Sequence, residues 1–291
     1  MVRLLTYADH DSLEKFLLSK LETSMFLLAN SRRAGFGDGD TPFHGSYAGL
    51  FEGDQQSLAG VVAHYRHGYL ILQAPHDVEE IGKLALADSK RPVKGVIGES
   101  DQVGAVLDSM HLAAAHIQSD SVEYLYRISL KDMHIPSLPS EAEYTSRLAD
   151  EADVPLIVEW MVRFRNETLE DPDTPEQREN CRDRVRFQVE EGSLWVLEHR
   201  GELVSMCAYN AKIAEAVQIG GVFTPVPHRS KRYARYLVAQ SLLAARSEGI
   251  ATGLLFTAMN NIAAQKAYES IGFQQIGDYR ICTFDQPLTG S

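Results

Sequence analysis

No stretch of this 291-residue chain has enough consecutive apolar residues for a membrane-spanning helix, which needs roughly 18–20 of them. The first residues, Met1 to Asp9, turn polar too soon for a secretory leader. Cysteine is scarce: Cys181, Cys207 and Cys282 are scattered and odd in number. That argues against a disulfide scaffold and for thiols packed as small hydrophobes in a reducing, cytoplasmic setting. Positive charge is also short, with 28 Lys and Arg against 40 Asp and Glu and a net charge of -12. This balance argues against nucleic acid and anionic membrane as partners. Neither a P-loop nor a dinucleotide fingerprint occurs. His64 and His67 have ligand-like chemistry, but no third ligand accompanies them and no metal is expected.

What is present is an ordinary globular composition, 44% hydrophobic and 23% charged, at a length comfortable for two domains. In the first half, a short strand at Arg3 to Tyr7 precedes a helix with the apolar face Leu13, Phe16, Leu17 and Leu21. Residues 30–44 hold three glycines and a proline and read as a loop. A meander of three strands follows, at 46–52, 58–65 and 68–73, with turns at Glu52-Gly53-Asp54 and Arg66-His67-Gly68. Then come a helix at 78–87, a strand at 93–97, a helix from Asp101 to Met110, and a strand at 122–130. Pro136 and Pro139 mark a linker at about 134–140, which divides the chain into domains 1–133 and 141–291.

The second half repeats the theme. A strand at 144–148 leads to a helix carrying Val154, Ile157, Val158, Met161 and Val162 at helical spacing. Thr174 caps the next helix, with Pro175 at its first position. A hairpin turns at His199-Arg200-Gly201-Glu202, and a strand covers 217–223. A helix that runs to about Ala245 and another at 262–270 flank a strand at 252–259. A strand pair at 273–284, broken near Gly277-Asp278, ends the chain. The order implies an α/β (α+β) fold with a mixed central sheet flanked by helices, and suggests two related halves.

One stretch stands out chemically. The strand ending at Phe223 breaks at Thr224-Pro225-Val226-Pro227, because two prolines so close fit neither a ladder nor a helix interior. A helix then starts amid Arg229, Lys231, Arg232 and Arg235. Free amides and the positive end of the helix dipole converge there, and the basic side chains favour a phosphate. By composition alone the four basic residues could equally be a solvated helix face.

This stretch resembles the cofactor turn of the GNAT N-acetyltransferases, which typically reads Val-x-Thr-Pro-x-x-x-Arg-Gly-x-Gly-x-Ala. Here it is Val222-Phe223-Thr224-Pro225-Val226-Pro227-His228-Arg229-Ser230-Lys231-Arg232-Tyr233-Ala234. A second motif, Asn260-Asn261 followed by Ala267-Tyr268-Glu269-Ser270-Ile271-Gly272-Phe273, resembles the family's strand, Asn and helix ending in Tyr-x-x-x-Gly-Phe. The resemblance covers about Tyr144 to Pro287 and departs in one place. Ser230 and Arg232 stand where glycines are usual, and glycine lets a backbone approach a pyrophosphate closely.

The resemblance implies acetyl-CoA as co-substrate, without a metal, and acetyl transfer to a primary amine of a small molecule or peptide. Arg229, Ser230, Lys231, Arg232, Tyr233 and Ala234 would seat the diphosphate, and Val222, Phe223 and Thr224 would pair with the pantetheine arm. A backbone N–H near Val222 would polarise the thioester carbonyl, and Asn261 would contact the pantetheine. Tyr268 would act as general acid, since a phenol of pKa about 10 suits a thiolate leaving group. By position alone Tyr268 reads as a packing residue. Glu215 and Glu167 are the candidate bases, each also readable as a surface residue. The acidic run Glu167 to Asp173 hints at a cationic acceptor. The alternative is a CoA-binding regulatory module that keeps the fold without turnover. The first half shows neither motif and reads as a degenerate copy; oligomeric state, a homodimer included, is open.

Overall fold

A computed structural model describes residues 1–37, 39–53, 57–109 and 117–288. Asp54 in the first expected turn and Met110 at the expected end of a helix lie outside them. The described chain forms two compact units, Met1–Tyr124 with Gly277–Ser291, and Leu125–Ile276. The last segment, which the sequence groups with the second half, therefore completes the first unit.

In the first unit β1 (Val2–Leu4) precedes α1 (His10–Leu18) and α2 (Leu21–Ala34). The loop expected from residue 30 begins only at Gly35, whose φ of 69° ends α2. Asn30 to Ala34 are helical because Ser31 and the basic pair Arg32 and Arg33 carry the helix on to that stop. The meander is β2 (Gly45–Glu52), β3 (Ser57–Tyr65) and β4 (Tyr69–Gln73). After it come α3 (Val78–Ser89), β5 (Val93–Glu99), α4 (Ser100–Ser109) and β6 (Ile117–Ser129). Neighbouring strands run β1-β2-β3-β4-β5-β12, where β12 is Gln274–Leu288. β4 and β5 are parallel, and β12 pairs antiparallel with β5 from Tyr279↔Glu99 to Leu288↔Val93. The expected turn at Gly277-Asp278 does not form. The two residues lie inside one strand, immediately before its ladder with β5 begins at Tyr279, and that strand context outweighs their local turn preference.

The second unit opens with β7 (Tyr144–Leu148), α5 (Val154–Leu169) and α6 (Pro175–Glu190). Thr174 Oγ1 accepts the Gln177 N–H at 3.1 Å, the cap that the sequence implies. The hairpin β8 (Leu194–His199) and β9 (Glu202–Lys212) turns on Arg200 and Gly201, both at positive φ, as a two-residue hairpin loop prefers. β10 (Ala216–Phe223), α7 (Tyr233–Ser247), β11 (Thr252–Ala258) and α8 (Ile262–Glu269) complete it. The strand order is β11-β10-β9-β8-β7, with the end of β6 beside β11. α5 and α6 pack Ile157, Val158, Met161, Cys181 and Val185 onto Val196, Met206 and Ala208 of the sheet. All three cysteines are buried and free. None of the described helices is long and apolar enough to cross a membrane.

The exchanged last strand has a measurable consequence. Tyr279, Cys282 and Phe284 are buried in the first unit, each of the large ones worth about 1.5–3 kcal/mol. Deleting residues 277–291 should expose the β5 edge and loosen the first unit selectively. Limited proteolysis should then cut within 45–99 before 144–276. Equal resistance of both regions would contradict this arrangement.

Candidate functional site

The site grows from a defect in a ladder. β10 and β11 run parallel and pair from Ala216↔Thr252 to Ile219↔Leu255. Beyond that point, among the described residues, no β11 partner faces Gly220 to Phe223. On its other side β10 stays attached to β9, through Gly220↔Ala208 and Phe223↔Met206, with an extra residue inserted between them. Gly221 sits in this bulge at φ 58°. A Cβ there would be strained by that φ rather than by crowding, since its nearest neighbour, Met161 Cε, is 3.8 Å away. The carboxamide of exposed Asn210 lies against Gly220 and would have to swing aside for a Cβ there. The result is a strand edge open toward the gap over Gly220, Gly221, Val222 and Phe223.

A residue that the sequence does not single out fixes the end of this edge. Ser205 on β9 is fully buried; its hydroxyl donates to the Phe223 carbonyl at 3.1 Å and meets Thr224 Oγ1 at 2.9 Å. A serine in an apolar strand gives no hint of this pairing in one dimension. Gln265 is equally silent in sequence. Its amide donates to the carbonyls of Ala258 and Met259 at 3.1 and 2.9 Å, satisfying the end of β11 where the ladder has been lost.

The chain leaves Phe223 through Pro225 and a single 3-10 turn at Val226–His228 and enters α7 at Tyr233. Ser230 and Arg232 have φ of 63° and 71°. The two positions where glycine is usual thus keep a glycine-like, left-handed backbone without the glycine. Such a conformation costs a side-chain-bearing residue about 1–2 kcal/mol. Alternation of left- and right-handed residues is the backbone pattern that lets successive amides face one concavity. The first amide to bond back into α7 is that of Tyr236, to Arg232 O at 3.1 Å. The amides of Tyr233, Ala234 and Arg235 are the free donors of the helix start. Ser230, Lys231 and Arg232 are exposed around them.

The other expected residues are distributed unevenly. Arg229 turns away from the helix start: its Nε donates to Thr224 O at 2.9 Å, and Nη2 reaches Glu167 at 2.5 Å. Its guanidinium lies 5.7 Å from the Phe223 ring centre. Asn261 caps α8, its Oδ1 accepting the Ala264 N–H at 3.1 Å. Tyr268 is buried, edge-on to Phe273 with ring centres 6.0 Å apart. Glu215 lies in the turn before β10, next to the Ala216↔Thr252 pair. That is the end of the strand opposite the open edge, about 20 Å from Val222 at the rise of an extended chain. The structure does not bring Glu215 to the site.

The acidic run is not a bare negative patch. Asp171 pairs with Arg165, and Asp173 and Glu159 pair with Arg178. Arg178 holds the Asp173 carboxyl below its ordinary range. These arginines brace the α5–α6 connection beside a small cavity of about 150 Å³ lined by Val162, Arg163, Asn166, Glu167 and Asp173. At the helix start, Tyr233 is buried with its ring tilted against Tyr144 at 5.6 Å, and burial first, then the Tyr144 hydroxyl, pushes its phenol up to about 12. It stays neutral and serves as a wall of the turn.

The strain in the turn is testable. Arg232→Gly should raise stability by up to about 1 kcal/mol in denaturant unfolding, because glycine accepts the left-handed backbone at less cost than its added flexibility. Arg232→Ala should give no such gain, since alanine keeps the strain. Equal effects of the two substitutions would contradict the assigned backbone.

Comparison with known proteins agrees with this geometry. Residues 155–273 match the model of the acetyltransferase (GNAT) family. No curated protein matches the sequence. Among solved structures, a Drosophila protein from a structural genomics programme superposes with a TM-score of 0.70 at 14% identity, over 97% of this chain and 98% of that one. A GCN5-related N-acetyltransferase from Sphaerobacter thermophilus gives 0.61 at 13% identity, over 100% and 98%. A tandem GNAT protein from the clavulanic acid biosynthesis pathway gives 0.57 at 11% identity, over 97% of both chains. The likeness to these structures is one of fold, it extends over nearly the whole chain, and it is consistent with two related halves. Residues 155–273, which contain the open β10 edge and the α7 turn, are a domain of the GNAT acetyltransferase family.

Proposed function

We propose that the chain is an acetyl-CoA-dependent N-acetyltransferase acting on a primary amine of a small molecule or peptide. The observation that carries this reading is the unpaired β10 edge at Gly220–Phe223, which leads directly to the free amides at the start of α7. A narrow molecule with amides along its length and a diphosphate at one end fits that combination. The residues present fit the cofactor: strand-edge groups for an amide-bearing arm, and the amides of Tyr233, Ala234 and Arg235 with Lys231 and Arg232 for the diphosphate. The exposed side chains of Ser230 and Arg232 leave the backbone concavity open despite the missing glycines. When bound, acetyl-CoA supplies the acyl group as an activated thioester.

The chain's own groups then have distinct tasks. The Val222 N–H, beside the bulge at Gly221, serves as a fixed donor for the charge that develops on a carbonyl oxygen. Ser205 holds that backbone in place by binding Phe223 O. The Tyr268 phenol donates a proton to the departing sulfur, and its packing against Phe273 limits its rotation. Asn261, its oxygen used by the cap, keeps its amide protons for the arm. Arg229 serves the site by tying Glu167 and Thr224 together rather than as a first diphosphate ligand. With Glu215 remote, the amine loses its proton to water at the mouth of the cleft. We place this activity in the cytoplasm, without a metal and without nucleic acid or membrane as partner.

Calorimetry with acetyl-CoA and assay of CoA thiol release with an amine panel test the proposal. Binding and amine-dependent release are expected; absence of binding would overturn the reading, and binding without release would leave a CoA-binding module. Tyr268→Phe keeps the packing and should lower turnover by about 100-fold or more, with acetyl-CoA affinity nearly unchanged. An unchanged rate would remove Tyr268 from the mechanism.

A further inference from the structure

The first unit repeats the arrangement around the cofactor edge. β4, α3, β5 and α4 follow one another as β10, α7, β11 and α8 do, and β4 and β5 are parallel, paired at Tyr69↔Gly95, Leu70↔Val96 and Ile71↔Ile97. Here too the ladder stops before β4 ends at Gln73. What lies beyond it differs. Gln102, on α4 and 5% exposed, reaches back across the gap. Its Oε1 accepts the Ala74 N–H at 2.7 Å, and its Nε2 donates to Glu99 Oε2, at the end of β5, at 2.9 Å.

We infer that Gln102 fills the first unit's counterpart of the cofactor wedge, so that the chain takes one CoA, at α7, and none at α3. This rests on the reading of the α7 turn as the CoA seat. A carboxamide presents a carbonyl and an N–H at the separation that a pantetheine amide offers. Placed against Ala74, it satisfies the strand-edge donor that such an arm would use, and a buried donor already satisfied offers a ligand nothing. The contrast with the second unit is direct. There the helix glutamine, Gln265, bonds to the carbonyls at the end of its own strand, β11, and leaves the β10 edge free.

Two further features oppose a diphosphate at α3. Only residues 74–77 join β4 to α3, whereas residues 224–232 join β10 to α7. The shorter link has no length to curl into a cradle of amides. The first turn of α3 also carries Glu79 and Glu80, after Asp77 at φ 54°. These carboxylates already complement the positive end of the helix and repel a second anion. The first turn of α7 carries no acidic residue, and the exposed Lys231 and Arg232 precede it.

The test uses the full chain, with CoA as the probe. Calorimetry should give one CoA per chain, and the double substitution Lys231→Glu with Arg232→Glu should abolish all binding. Two bound CoA molecules, or binding that survives in the variant, would overturn the inference. Amide exchange followed by NMR gives a readout independent of the α7 site. The Ala74 amide should exchange slowly without CoA, be unaffected by CoA, and speed up about tenfold or more in Gln102→Ala. Fast exchange at Ala74 in the unaltered chain, or slowing there on adding CoA, would contradict the plug. If no CoA binds while Ala74 stays protected, the α7 reading fails and the closed first unit stands.

Discussion

The early end of the ladder between β10 and β11 is the constraint on which the functional account depends. A parallel pair that kept pairing past Ile219 and Leu255 would use up the backbone groups of Gly220 to Phe223 that point toward β11. The chain prevents this from several sides at once. The bulge at Gly221 lets β10 turn while β9 still holds it, Ser205 secures the strand end, and Gln265 donates to the carbonyls of Ala258 and Met259 at the end of β11. Each is a local solution to the cost of a lost ladder bond, and together they keep a strand edge exposed without unravelling the sheet.

The α7 turn shows a second compromise. Ser230 and Arg232 accept left-handed backbone geometry at positions where glycine would do so with less strain. The shape of the turn, rather than the identity of its residues, has been kept. That shape is what an anion at a helix start needs, since the amides bind it and the side chains can point outward. Arg232, the position that departs most from the family pattern, is therefore compatible with the seat. The expected cost is lost stability rather than a blocked site. The first unit makes the opposite choice: its gap is closed by Gln102, and its helix start is acidic.

Much of the fold is legible in the sequence because its elements are locally signalled. Thr174-Pro175 at a helix start, apolar spacing in α5 and the double proline after Phe223 each act over a few residues. What could not be read was long-range. Gly277-Asp278 looks like a turn but lies within β12, whose ladder with β5 starts at the next residue, and Ser205, Gln265 and Gln102 matter only through residues brought close by folding. Glu215 precedes the functional strand and so looks close to its chemistry. In three dimensions the length of β10 separates the two, because an extended strand is the structure that carries its ends furthest apart. The acidic run after Glu167 likewise looks like a negative patch, yet Arg165 and Arg178 flanking it pair with Asp171 and Asp173, and Arg229 from far along the chain pairs with Glu167.

The central claim is that one continuous surface, from the β10 edge to the α7 amides, seats CoA. A crystal structure of the chain grown with CoA tests it most directly. The account predicts the diphosphate over the amides of Tyr233, Ala234 and Arg235, with a pantetheine amide paired to the backbone near Val222. CoA bound elsewhere, or a β10–β11 gap that closes and leaves no room for the arm, would contradict it.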